Sequence, residues 1–445
     1  MSSVVEEGRP GWRPGSRAAA TTPARGVRVV LDLRPLQDPE RAPLTATYLE
    51  QLLSALEADP AEGESLRLVL AAERADPSPR WPGLPVIGRR LVPPTRLLRS
   101  GALTVDPILL RGAVLGAGWR AERGGAAGSV YHAATGALPI ASGIPIVAAL
   151  LDVAPWSIPT AYQPGRAARF GQRIRARLLK EAAAVVVPSR SAAEEATRLL
   201  RVRKSRVEVV PLAARAAFRE VSRALTQTAV GDAVDDDMDA GRAQDRRRLG
   251  LGERYAVYAG RHDVRHDLQT LLEALAALAA GHPPAGAADT AWPPRVCIID
   301  ATPDDRAAVA RAADRAGVGD AIVYAPRLPE ERLAALVAGA RFQLLPLRSE
   351  AAGMAALEAL AAGVPVIASA TGALPEVVGR AGVIVEPGDP ARLATAIRTL
   401  WTDDALHARL RAAAASRPDA GRTWADVARE TRAVWARVAG RAPLL

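Results

Sequence analysis

The chain has 445 residues, 49% of them hydrophobic and 24% charged, with a mean hydropathy of +0.03; this excludes a disordered chain and is too long for one ordinary core, so two α/β-sized domains are expected. The formal charge of +10 invites a polyanion as partner, but the basic residues are almost all arginine, with Lys180 and Lys204 the only lysines, and the chain is equally rich in alanine. With no zinc spacing, RNA-binding aromatic signature or basic tail, no nucleic-acid partner is expected. Apolar runs such as Ile144 to Leu151 are too short to cross a bilayer, and the N-terminus carries no apolar signal core. The single cysteine, Cys297, lies in an apolar run and reads as a buried structural thiol in a cytoplasmic protein.

Residues 1–26 lack both period and apolar content and read as a disordered tail. Short β-branched or apolar runs then alternate with helical patterns: Val27 to Leu33, Leu66 to Leu70, Val130 to His132, Ile146 to Leu150, Val185 to Val187 and Val207 to Val210. That rhythm predicts a parallel sheet wound with helices over 27–221. Residues 222–250 carry an aspartate cluster followed by Arg246, Arg247 and Arg248, which reads as a charged linker or insertion. A second series occupies 251–415, with strands at Tyr255 to Tyr258, Val296 to Ile299, Ile322 to Tyr324, Gln343 to Leu345, Val364 to Ile367 and Val383 to Val385. Residues 416–445 end in a helix whose Trp424, Val427, Thr431, Val434, Trp435 and Val438 recur at helical spacing, as expected of a helix packing back across the junction.

Two patterns mimic sites. Gly116, Gly118 and Ala121 match a dinucleotide fingerprint, yet they do not follow the first strand, and the next acid after Glu122 is Asp152. Asp235, Asp237 and Asp239 imitate a calcium loop, but Ala240 and Arg246 stand where glycine and glutamate are required.

The chemistry concentrates in QLLPLRSEAAGMAALEALAAGVPV, a strand, a loop and a helix starting near Gly353. Glu350 lies in the loop and Glu358 in the helix, so both can face a crevice at the carboxyl edge of the sheet. The amides of Gly353 and Met354 stand at a positive helix end suited to a diphosphate.

This stretch resembles the E-x7-E motif of retaining glycosyltransferase family 4. In the same register, AVYAGRHDVRHDLQTLLEAL resembles the family's first C-domain strand and turn, and YAPRLPEERLAALVAGA, with Arg327 and Leu328, its nucleobase segment. IPIVAALLDVAP and AAAVVVPSRSAAEEATRLLRVRKSRVEVVPLA follow the family's order in the first half. The resemblance implies a GT-B fold: two doubly wound Rossmann-like domains facing each other across a cleft, the first for the acceptor and the second for the nucleotide-sugar. It implies transfer of a sugar from a UDP-, GDP- or ADP-sugar to an acceptor with retention of configuration, without metal or cofactor. Glu350 would orient the donor sugar, and Glu358 would hold the ribose. Arg261, His266 and the Gly353 and Met354 amides would stabilise the leaving diphosphate. Arg265 stands beside His266 as a substitute, since an unperturbed histidine titrates near 6.5 while the family's residue there is lysine. Asp152 falls in the family's His-Asp pair, which here reads Leu151-Asp152. The loop after the first strand, Pro39 to Thr47, contains no glycine where the family has a glycine-rich turn.

From Arg166 to Lys180, Phe170, Ile174 and Leu178 form an apolar stripe, with Arg166, Arg169, Arg173, Arg177 and Lys180 off it. Such a helix predicts peripheral contact with an anionic membrane.

Overall fold

The computed structural model describes residues 26–93, 102–115, 128–134, 137–228, 243–284, 291–299 and 301–440. The expected tail, the fingerprint mimic at 116–121 and the aspartate cluster at 232–239 lie outside them.

Thirteen described strands form two all-parallel sheets. The first has the order β3-β2-β1-β4-β5-β6-β7, from β1 (Arg28–Asp32), β2 (Ser65–Ala71), β3 (Val86–Val92), β4 (Ser129–Ala133), β5 (Ile146–Ala149), β6 (Ala184–Val187) and β7 (Val207–Val209). The second runs β10-β9-β8-β11-β12-β13, from β8 (Ala256–Ala259), β9 (Val296–Ile299), β10 (Ile322–Tyr324), β11 (Phe342–Leu345), β12 (Val366–Ser369) and β13 (Gly382–Val385). Both are doubly wound. Their central strands are buried on both faces, which is why they read as continuous apolar runs and not as alternating ones. The edge strand β3 departs from that rule: it carries Arg89 and Arg90 and is largely exposed, so no apolar run marks it in the sequence.

Helix boundaries follow local chemistry. The helix Pro303–Arg315 opens with a capping box of Thr302 and Asp305, and the helix Trp424–Ala439 with one of Thr423 and Asp426. The helix Ala216–Thr228 runs through Ser222, so the charged stretch expected as a linker begins inside a helix, and residues 243–248 are helical again.

The last helix returns to the first sheet. Trp424, Val427, Ala428, Val434, Trp435 and Val438 share one buried cluster with Tyr48, Leu49 and Leu52 of the helix Pro43–Ala58 and with Val29, Leu31 and Val130 of β1 and β4. His132 of β4 lies at its centre. Trp435 donates its indole N–H to His132 Nδ1 at 3.1 Å, so the ring proton sits on Nε2, which faces the Tyr48 hydroxyl at 3.2 Å. Burial pushes the His132 pKa down to about 3.

Candidate functional site

The strand order of the second sheet reverses between β8 and β11, and the loops after these two strands carry the residues singled out by their motif. Ligands of doubly wound sheets bind outside the carboxyl ends of strands at such a reversal.

Glu350 is 9% exposed. Its Oε1 accepts the amides of Ala352 and Gly353 at 3.0 and 2.9 Å, and its Oε2 accepts Arg265 Nη2 at 3.0 Å. Burial alone pushes this carboxyl up, but Arg265 and the two amides outweigh it and hold the group below its ordinary range, so it is ionised at neutral pH. The Gly353 amide is therefore committed to Glu350, which corrects the expectation of a free donor for a diphosphate; Met354 opens the following helix, Met354–Ala361. Gly353 has φ +68, and a Cβ there would meet Val377 Cγ2 at 2.9 Å, so the turn needs glycine. The Glu350 backbone is equally fixed, its carbonyl accepting the Ala373 amide at 2.8 Å.

Arg265 joins the two sheets. It donates Nε to the Ser349 carbonyl at 3.0 Å and places Nη1 3.4 Å from Oδ2 of Asp152, which follows β5. Asp152, Arg265 and Glu350 thus form a line of alternating charge across the junction. Hydroxyls and amides reinforce it: Ser157 Oγ lies 2.8 Å from Ser349 Oγ, and Ser189 donates to the Ala351 carbonyl at 2.7 Å. Glu376 accepts the Arg190 amide at 3.1 Å and the Ser191 amide at 3.3 Å, at the positive end of the helix Arg190–Leu200.

The other expected residues are held elsewhere. Arg261 has Nε 3.4 Å from Asp305 Oδ2 and donates Nη1 to the Glu40 carbonyl at 3.3 Å. His266 Nδ1 lies 2.7 Å from Asp263 Oδ1, which also accepts the His266 amide at 2.9 Å. Arg327 is exposed, 3.7 Å from Glu40, and Leu328 packs against the second core. Glu358 is buried and holds both oxygens against Arg215, with Nε at 2.6 Å and Nη2 at 3.0 Å, while Arg215 Nη1 stands 3.5 Å from Glu330. Glu350 and Glu358 are therefore committed to different arginines. Arg215 escapes a reading by motif because its carboxylate partner lies 143 residues along the chain. Its neighbour Phe218 supports the guanidinium from below, 5.0 Å from ring centroid to Cζ.

After β1, where the glycine-free loop stands, Arg34 forks onto buried Asp32, Nε to Oδ1 at 2.9 Å and Nη2 to Oδ2 at 2.7 Å. An open depression at the carboxyl edge of β1 and β2, lined by Gln37, Arg74, Asp76 and Arg80, includes none of the residues above. In the helix Arg166–Glu181 all five off-stripe basic residues are exposed, but Phe170 is also 54% exposed, so the apolar stripe that faces inward is shorter than expected. No described helix is long and apolar enough to cross a membrane.

Residues 253–403 match the family of glycosyl transferases group 1. D-inositol 3-phosphate glycosyltransferase of Streptomyces avermitilis is 40% identical over 105 residues, covering 23% of either chain, so the match spans under a quarter of that relative's length. Sucrose-phosphate synthase of Thermosynechococcus elongatus superposes with a TM-score of 0.66 at 19% identity, over 93% of this chain and 99% of that one. HepE of Anabaena in complex with UDP gives 0.60 at 15% identity, over 92% and 100%. The α/β architecture of two parallel sheets with helices is the GT-B fold of these neighbours.

Proposed function

We propose that this chain, whose residues 253–403 belong to the glycosyl transferases group 1, moves a sugar from a nucleotide-sugar donor to an acceptor with retention of configuration. The observation that carries this reading is Glu350, ionised and aimed across the junction by Arg265 at the strand-order reversal. We assign 27–221 to the acceptor, 251–415 to the donor, and 222–250 and 416–445 to the linker and returning helix. HepE, which shares the fold, holds UDP, and this supports a nucleotide donor.

In this reading the protein supplies charge and position in place of a covalent nucleophile. Glu350 accepts hydrogen bonds from the donor sugar. Arg265 turns from Asp152 towards the leaving diphosphate, aided by the Met354 amide at the helix end. Glu358 takes the ribose hydroxyls once Arg215 moves onto Glu330. The departing phosphate receives the acceptor proton, so the new bond forms on the face the leaving group vacates. Calorimetry with UDP-, GDP- and ADP-sugars, followed by assays of donor hydrolysis, tests the reading. Absence of binding to all three would overturn it.

A second reading has its own support, because Arg261 and His266 are already paired with Asp305 and Asp263. A non-catalytic homologue that binds a nucleotide or assists a partner transferase would bind a nucleotide diphosphate yet hydrolyse no donor. We further propose a cytoplasmic location with peripheral contact at the inner membrane face, through the exposed arginines and Phe170 of the helix Arg166–Glu181. Pelleting with anionic but not neutral vesicles, reversed by salt, is the expected result; no pelleting with either would end that idea.

A further inference from the structure

The helix Arg166–Glu181 has a second basic feature on its inner side. Arg175 packs its guanidinium over Trp156, with Cζ 4.6 Å from the ring centroid. Its Nε is out of solvent and has no hydrogen-bond partner. The residue as a whole keeps part of its surface, so the terminal nitrogens are the accessible edge of the fork. One turn earlier on the same face, Gln172 is 7% exposed, and its Oε1 is also without a partner.

Three other shielded guanidiniums hold a carboxylate: Arg34 has Asp32, Arg265 has Glu350, and Arg432 has Glu64 at 2.7 Å. Arg175 does not. Burial pulls its pKa down to about 10, and Asp152 opposes this from beyond ion-pair distance while itself bound to Arg265 and the Ala154 amide. The group therefore stays cationic at neutral pH without a counter-ion. A desolvated charge left unpaired is costly, and such groups in clefts mark places where a ligand supplies the missing charge. A guanidinium stacked on an indole with its outer edge free is set up for two-pronged binding of a planar or tetrahedral anion.

Position narrows what that anion belongs to. Trp156 sits in the short helix Ala154–Ser157 that directly follows Asp152, and Ser157 bonds Ser349, the neighbour of Glu350. Arg175 thus lies on the first-sheet side of the junction, stacked on the short helix whose Ser157 reaches Ser349. We propose that Arg175, seated on Trp156 with Gln172 beside it, is an anion subsite that receives a phosphate or carboxylate carried by the acceptor. The word acceptor rests on the transfer reading above; the anion subsite does not.

The test titrates the full chain with inorganic phosphate, first alone and then with saturating nucleoside diphosphate to fill any donor site. Vesicles of phosphatidylglycerol in phosphatidylcholine form a second arm. Wild type should bind phosphate in both conditions, and Arg175→Met, which keeps the stem on Trp156, should weaken it by about ten-fold or more. Arg175→Lys should recover part of the loss, and it serves as the folded reference if the Met variant melts early. Arg203→Met, an exposed arginine outside that helix, should bind as wild type. Vesicle binding that falls with Arg175→Met but not with Arg203→Met would assign the anion to a lipid headgroup and uphold the subsite. Phosphate affinity equal in wild type and Arg175→Met, or no binding in either arm, would overturn it. Failure of nucleotide binding in the same experiments would remove the transfer reading and leave the phosphate result standing.

Discussion

Arg265 owes its charge to its neighbours. Burial opposes the guanidinium, and Glu350 and Asp152 more than restore it, so the group stays protonated at every pH at which the fold survives. His266, by contrast, is clasped by Asp263 on its own turn. Arg265→Ala should therefore lower nucleotide-sugar affinity by about ten-fold to a hundred-fold, while affinity in the unaltered chain stays flat from about pH 6 to 8. An affinity that falls across that range, with Arg265→Ala innocent, would return the role to His266. The Arg215 and Glu358 pair makes a second residue-level test. Each side chain is largely shielded, so Arg215→Met and Glu358→Gln should each destabilise the fold, and the double variant by less than the sum. A coupling of about 1.5 to 3 kcal/mol from urea melts is expected; additivity would mean that the pair contributes no mutual stabilisation. The sequence makes the glutamates legible because the spacing between a loop and the helix that follows it is a local property. It leaves Arg215 and Arg175 illegible, because what distinguishes them is a distant partner in one case and the lack of any in the other.

The elements were legible wherever burial on both faces wrote an apolar run, as in β6, β9 and β11. β3 was not, since an exposed edge strand needs no such run and carries arginines that discourage pairing with other chains. The terminal helix announced itself by two tryptophans at helical spacing, but not its anchor on His132. That anchor has a pH signature. His132 is neutral in the fold down to about pH 3, whereas in the unfolded chain it takes a proton near 6.5. Its contribution is whole above about 6.5 and is lost as pH falls through the window from 6.5 to 3, because the unfolded state then binds more protons. Half-buried His407, pushed down to about 4 by burial and Arg341, adds a smaller loss of the same sign. At pH 5 the His132 part amounts to about 2 kcal/mol. His132→Gln, which cannot titrate, should show a shallower loss of denaturation midpoint between pH 7 and 5 than the unaltered chain. Parallel curves would show that His132 is not the titrating group.

At the scale of the molecule, the halves are joined by Ala351, Ala352 and Leu357 packing into the first-sheet clusters and by polar contacts at facing carboxyl edges, among which Glu376 on the amides of Arg190 and Ser191 is exposed and easily altered. Glu376→Ala should loosen the junction without touching either core, seen as a larger radius of gyration in solution scattering with an unchanged melting midpoint. An unchanged radius would show that the remaining contacts suffice. The returning helix has a different consequence, which concerns the order in which the chain is made. The first sheet is translated before the second, yet the tryptophans that complete its apolar cluster follow the whole of the second sheet. Until then that face of the sheet is open, and closing it requires contact between segments more than 370 residues apart, such as Arg432 with the Leu56 carbonyl. The nascent first half thus stays unfinished until the second sheet has been made, and a cut anywhere between the two separates it from the piece that finishes it.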